Sequence, residues 1–157
     1  MGKYFEDLNP GDAFTTPART VTEADVVQFA GLSGDYNPIH TDCEFCRETP
    51  FGRPIAHGLL TLSILTGLLE RTGIQEGTIV ALRRVLDLEF RQAVFPGDTV
   101  HGELEVLEKE LREKEPREGS GRLGSGRVRF RMRGVNQRGE TVVDLRYDVL
   151  LKRRAGA

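Results

Sequence analysis

The chain has 157 residues, 38% hydrophobic and 29% charged, with 22 Lys and Arg against 24 Asp and Glu for a formal net charge of −2. That length predicts one domain over residues 1–157 with a real core, and the small negative charge argues against general affinity for nucleic acid. No basic segment with a following apolar stretch stands at the N-terminus, so no signal peptide is predicted and a cytoplasmic location is expected.

Residues 4–9 (YFEDLN) lead into Pro10-Gly11-Asp12, a turn signal. Ala13 to Val21, with its Thr residues, reads as a first strand. Thr22-Glu23-Ala24-Asp25 reads as a helix start, with Thr22 capping and Asp25 completing the box. That helix carries Val26, Val27, Phe29 and Ala30 and is expected to end before Gly31.

The next stretch, Phe29 to Gly58, holds two of the three histidines, both cysteines and many Gly, Pro, Asn and Asp residues. Loops of this kind between scaffold elements are where binding and catalysis usually sit. Asp35 and His40 lie five residues apart, a rotation of about 140° on a helix, so a helix would not bring them together. Pro38 drives Asn37 out of the helical region, and Asp-x-Asn-Pro is turn chemistry. A turn can fold His40 back toward Asp35, where a carboxylate and an imidazole can hold one water and take its proton. The alternative is a surface turn whose Asp35 and Asn37 satisfy only backbone groups.

Cys43-Glu44-Phe45-Cys46 can be a redox pair or half a zinc site. No second C-x-x-C is present and the histidine spacing fits no familiar zinc pattern, so reduced thiols in a short helix and no metal are expected. Leu59 to Leu69 is apolar on almost every face and predicts a buried helix. It is too short and too rich in Thr, Ser and Gly to span a bilayer, which needs about 20 apolar residues. Its first turn offers free N–H groups and the positive dipole end, and Gly58 lets a ligand approach them. A carbonyl oxygen gaining negative charge would be stabilised there.

Arg71 to Gly77 reads as a turn, and Thr78 to Val94 as a strand with a bulge near Arg83-Arg84. Phe95-Pro96-Gly97-Asp98 breaks it before a strand over Thr99 to Leu111, where His101 falls in regular alternation as a surface residue. Residues 113–126 are a charged, Gly- and Ser-rich loop expected to be mobile. Arg127, Arg129, Arg131 and Arg133 then alternate with Val128, Phe130 and Met132. This is either a phosphate or nucleic-acid stripe, or a solvated face paired with Glu103, Glu105 and Glu108 of the preceding strand; the acidic strand at hand favours the second. Asn136 to Gly139 turns the chain into a last strand, Thr141 to Leu151. Consecutive strands with tight turns imply an antiparallel sheet, and one sheet around one buried helix is an α+β domain.

Gly34-Asp35-x-Asn37-Pro38-x-His40 followed by Arg53-Pro54-Ile55-Ala56-His57-Gly58 resembles the signature of the (R)-specific enoyl-CoA hydratases, the MaoC-like dehydratases of the hotdog fold. The resemblance runs from about Phe5 to Leu151 and weakens after the buried helix; Asp42 matches the family's pattern, and Cys43 departs from it. It implies reversible syn hydration of a 2-enoyl thioester, on coenzyme A or an acyl carrier protein, with no cofactor. It also implies a homodimer or higher homo-oligomer, with the sheets of paired copies continuing edge to edge and covering a free strand edge. Asp35 and His40 are implied to hold and deprotonate water, and Gly58 N–H to polarise the thioester carbonyl. Asn37, His57, Ser63 and Thr66 are implied in substrate binding, Asn37 by orienting the pair and Thr66 by lining the acyl pocket. The alternatives are a hotdog acyl-CoA thioesterase and a non-catalytic acyl-CoA-binding module.

Overall fold

The computed structural model describes residues 2–111 and 124–155. The loop expected over 113–126 lies outside the described residues as far as 123, and Ser125 and Gly126 already belong to a strand.

A short 3-10 turn at Phe5–Asp7 precedes β1 (Ala13–Thr15) and β2 (Arg19–Thr20). The single strand expected over Ala13 to Val21 is thus two short pieces, both paired with one later strand. Pro17 lies between them, and a residue without an N–H cannot continue a ladder. Helix α1 (Glu23–Ser33) starts as its capping box predicts: Asp25 N–H donates to Thr22 Oγ1 at 3.2 Å, and Thr22 N–H to Asp25 Oδ2 at 2.8 Å. It does not stop before Gly31 but runs on to Gly34, whose N–H donates to the Ala30 carbonyl at 2.8 Å. An interior glycine costs a helix about 1 kcal/mol relative to alanine, an amount that burial of Val26 and Ala30 can offset.

Two short helices follow, α2 (Pro38–Thr41) and α3 (Cys43–Arg47), and then α4 (Gly58–Glu70). Four long strands complete the chain: β3 (Ile79–Phe90), β4 (Thr99–Leu111), β5 (Ser125–Asn136) and β6 (Thr141–Lys152). All pairings are antiparallel, in the order β1-β4-β5-β6-β3, with β2 also on β4. The strand expected over 78–94 ends at Phe90, and the bulge expected near Arg83-Arg84 is present as a register shift between Leu82 and Arg84. Strand β3 is not beside β4; residues 91–98 carry the chain across, so that β3 lies at the edge next to β6.

The inner face of the sheet packs on α4, the hotdog arrangement. Leu60, Ile64, Leu65 and Leu68 of the helix share one core with Leu104, Val128, Phe130, Met132 and Leu145. The approach is close: a Cβ added at Gly134 of β5 would lie 2.5 Å from Leu65 Cδ1. The helix is not buried all round, as its apolar sequence predicts. Leu59 is 58% exposed, and Ser63 and Thr66 are exposed beside it, which leaves one open stripe. Among the described residues, no helix is long and apolar enough to cross a membrane.

On the outer face the four alternating arginines meet carboxylates. Arg133 pairs with Glu103, Arg129 with Glu108 at 2.9 Å, and Arg127 with Glu108 at 2.8 Å and Glu110 at 2.7 Å. Arg131 stands opposite Glu105 in register, as expected, but its ion pair goes the other way, to Asp144 of β6 at 2.8 Å. His101 lies on β4, 3.8 Å from Glu103.

Candidate active site

The Asp35–His40 segment folds by local rules. The Asn37 N–H donates to Asp35 Oδ1 at 3.2 Å, closing a turn. Asn37 Oδ1 in turn accepts from Ile39 N–H at 3.1 Å, capping a single helical turn whose first residue is Pro38. Asp42 ends that turn and caps the next helix by accepting from Phe45 N–H at 3.0 Å. The half-buried His40 and the exposed Asp35 thereby face one another across the bend.

The imidazole of His40 is fixed through Nδ1, which donates to the Ile55 carbonyl at 2.8 Å, while Ile55 N–H donates to the Ile39 carbonyl at 3.2 Å. Reciprocal bonds therefore clamp α2 to the segment leading into α4. With the proton on Nδ1, the lone pair sits on Nε2. The short helix α3 contributes from behind: the buried Cys46 thiol donates to the Ile39 carbonyl at 3.3 Å and the Pro38 carbonyl at 3.5 Å. Burial, with the Cys43 thiol and the Asp42 carboxylate nearby, pushes its pKa up, so it stays a neutral donor. Cys43 is exposed, and neither cysteine is in a disulfide.

His57 is only 3% exposed. It is the N-cap of α4, and its ring stacks on that of His40 with centroids 3.8 Å apart and planes 28° from parallel. Its Nε2 donates to the Asp35 carbonyl at 2.9 Å, and Phe29 of α1 packs on its other side at 5.0 Å. One nitrogen or oxygen from each of Asp35, His40 and His57 lies within 4.8 Å of the others, a spacing that also suits a metal ion. The stacking argues against one: the two imidazoles hold their in-plane lone pairs in near-parallel planes, and His57 Nε2 is already committed to the Asp35 carbonyl.

A cavity of about 440 Å³ opens beside His40, bounded by Ile55, Gly58, Phe90, Val94 and Val143 among others. Gly58 is the first residue of α4, where N–H groups have no intrahelical acceptor, and no partner for its N–H is found among the described residues. A Cβ there would lie 2.8 Å from the Phe90 ring, so a side chain at this position would have to displace that ring at the mouth of the cavity. Asn37 acts here as a cap. Ser63 and Thr66 do not reach this cavity; they lie farther along α4 beside a second one, with their hydroxyls donating to the Leu59 and Ser63 carbonyls. Sequence reasoning missed Ile55, Cys46 and Phe90. Ile55 was signalled only by its place in the Arg53–Gly58 motif, and Phe90 reaches the site from a strand 32 residues beyond Gly58.

A family model described as the MaoC-like domain matches residues 7–125. The protein MaoC of Klebsiella aerogenes is 40% identical over 107 residues, which is 68% of this chain and 31% of that protein. An (R)-specific enoyl-CoA hydratase of Aeromonas caviae is 43% identical over 83 residues, 53% of this chain and 60% of that enzyme. The matches thus span less than two thirds of these relatives' own lengths. Among solved structures, a monoamine oxidase regulatory protein from Archaeoglobus superposes with a TM-score of 0.86 at 35% identity, covering 98% of this chain and 96% of that one.

Proposed function

The chain belongs to the MaoC-like hydratase/dehydratase family, and from that premise we propose that it is a hydro-lyase adding water reversibly to a 2-enoyl-CoA thioester to give the (R)-3-hydroxyacyl-CoA. The observation that carries this reading is the His40 ring. Its Nδ1–H is fixed on Ile55, which leaves the Nε2 lone pair free; a nitrogen of the ring lies within 4.8 Å of an Asp35 carboxylate oxygen, and the ring shares a cavity with the amino end of α4.

Asp35 and His40 hold one water between them. His40 Nε2 takes a proton as the water oxygen attacks the β-carbon, and the electron pair of the double bond moves onto the thioester carbonyl. The growing negative charge on that oxygen meets the Gly58 N–H and the helix dipole. Return of the proton to the α-carbon on the same face completes a syn addition, and dehydration is the reverse. Asn37 orients the pair through its cap on α2. His57, enclosed behind His40, supports the ring and tethers the Asp35 backbone. Ser63 and Thr66 line the path of the acyl tail. The acyl group is carried by coenzyme A or an acyl carrier protein.

The open edge of β3, with Val80, Leu82 and Val85 exposed at 51%, 55% and 44%, supports a homodimer joined along that strand. The test of the reaction is hydration of crotonyl-CoA, followed by loss of enoyl-thioester absorbance, in wild type, Asp35→Ala and His40→Ala. Each variant is expected to lose about 10²–10⁴-fold in kcat. Full activity in either one rules out the pair.

A further inference from the structure

Helix α3 is anchored behind the site by a single side chain. Of its five residues only Cys46 is buried, at 0% exposure, and its thiol meets the Pro38 carbonyl at 3.5 Å and the Ile39 carbonyl at 3.3 Å. That Ile39 carbonyl also accepts from Ile55 N–H, so the sulfur touches the clamp that holds His40. Cys43, the chain's other cysteine, opens the same helix and is exposed. The turn between them is regular, with Cys46 N–H donating to the Asp42 carbonyl at 3.1 Å. Residues three apart on such a turn have Cα atoms about 5 Å apart, inside the range of about 4.4–6.8 Å that a disulfide accepts. Their Cβ atoms stand about 5–6 Å apart, whereas a disulfide needs about 3.8 Å. The pair is close enough to be joined, but not without local movement. Whichever side chain moves, the bond consumes the thiol hydrogen that meets the two carbonyls.

We infer that Cys43 and Cys46 are a thiol–disulfide exchange site, and that its oxidation by a small-molecule disulfide of the glutathione class loosens the α2 clamp and slows the reaction at His40. The effect on the reaction rests on the hydratase reading above; the exchange itself does not. It begins at Cys43, because Cys46 is closed to solvent and cannot meet a bulky reagent. The Cys43 thiolate attacks one sulfur of the small disulfide, whose S–S bond breaks, and one thiol departs. The Cys46 sulfur gives up its proton, attacks Cys43 Sγ and releases the second thiol. Two protein thiols are thereby oxidised and one small disulfide is reduced to two thiols, which carry away the two cysteine protons. The Pro38 carbonyl keeps Asp42 N–H at 2.9 Å and the Ile39 carbonyl keeps Ile55 N–H at 3.2 Å, but both lose the sulfur donor that ties α3 to them. Because α2 is a single turn of four residues, the loss falls directly beside His40. A shift of about 1 Å in a reacting group can lower turnover about 10²-fold.

The test equilibrates the protein with graded ratios of oxidised to reduced glutathione. Free thiols are counted by alkylation and mass spectrometry, and kcat and KM for crotonyl-CoA are measured on the same samples. Both thiols are expected to disappear together with no glutathione retained, while kcat falls about 10–100-fold, KM changes little and dithiothreitol restores the activity. Cys43→Ser is expected to keep the wild-type kcat at every ratio. Thiols that stay free throughout, or glutathione left on Cys43, overturn the exchange site. A disulfide that leaves kcat unchanged overturns the loosening of the clamp, as does equal inhibition of the Cys43→Ser variant. If neither form hydrates any enoyl thioester, the hydratase reading falls, and the clamp is read from the His40 imidazole signals by NMR. A change on oxidation that dithiothreitol reverses upholds the inference; an unchanged spectrum overturns it.

Discussion

Replacing His57 by phenylalanine separates a positioning role from a substrate-binding one. The substitution keeps a flat ring against His40 and Phe29 but deletes the bond from Nε2 to the Asp35 carbonyl. It also deletes the buried Nδ1, which has no partner among the described residues. Losing one neutral hydrogen bond costs about 1 kcal/mol, and losing an unsatisfied buried nitrogen returns a similar amount, so the midpoint of thermal unfolding should move by only a few degrees. The Asp35 backbone, in contrast, loses its tether to the start of α4, and a shift of about 1 Å in a reacting group can lower turnover about 10²-fold. The expected result is therefore a kcat reduced about 10–100-fold, with KM for crotonyl-CoA nearly unchanged and the fold intact. Steady-state kinetics beside a melting curve decides the matter. An unchanged kcat with a raised KM would refute this reasoning and return His57 to a substrate-binding role, and a collapse of the melting temperature would make it a merely structural residue.

Other expectations follow from the sheet. Asp148 is 1% exposed and accepts from Arg129 Nε at 2.6 Å and Nη2 at 3.0 Å, so Asp148→Asn should reduce stability to urea by about 3 kcal/mol, the lower end for a broken buried pair because Glu108 still serves Arg129. Hydrogen bonding to Arg129 holds the Asp148 carboxyl below its ordinary pKa. Its contribution is then fully present above about pH 4, the unfolded value, and is lost as pH falls through the lower folded-state value, so the gap between wild type and variant should close in acid. Gly134→Ala would press a methyl group into Leu65 and should cost about 1–3 kcal/mol by the same urea assay, with no change in pH dependence. If copies pair along β3, Val80→Lys should shift the sedimentation profile from dimer toward monomer, and an unchanged profile would move the interface elsewhere.

Much of this fold could be read from periodicity, because the features concerned are local. The capping box at Thr22, the alternation of β5 and the turn at Pro38 depend on residues within a few positions of one another. The convergence of Asp35 and His40 was legible for the same reason. What escaped were decisions made over long separations. That β3 lies beside β6 and not β4 is a pairing between segments about sixty residues apart, and no short window of sequence contains that information. The partner of Arg131 went unseen with it, since Asp144 becomes its neighbour only once β6 lies against β5. Helix α1 outran its expected end because an interior glycine is a small penalty that tertiary packing can override, whereas the left-handed position at Gly34 stops the helix. The stacking of His57 under His40 needed the relative placement of two elements that are each predictable only alone.

The ladder of ion pairs across β4, β5 and β6 constrains how this protein can be built into anything larger. A second β-layer laid on that surface would have to strip water from a row of guanidinium and carboxylate groups, so sandwich-like growth in that direction is closed off. Enlargement, by gene duplication or by assembly of separate copies, is left to proceed sideways, through the free rim of the sheet or the uncovered flank of its helix.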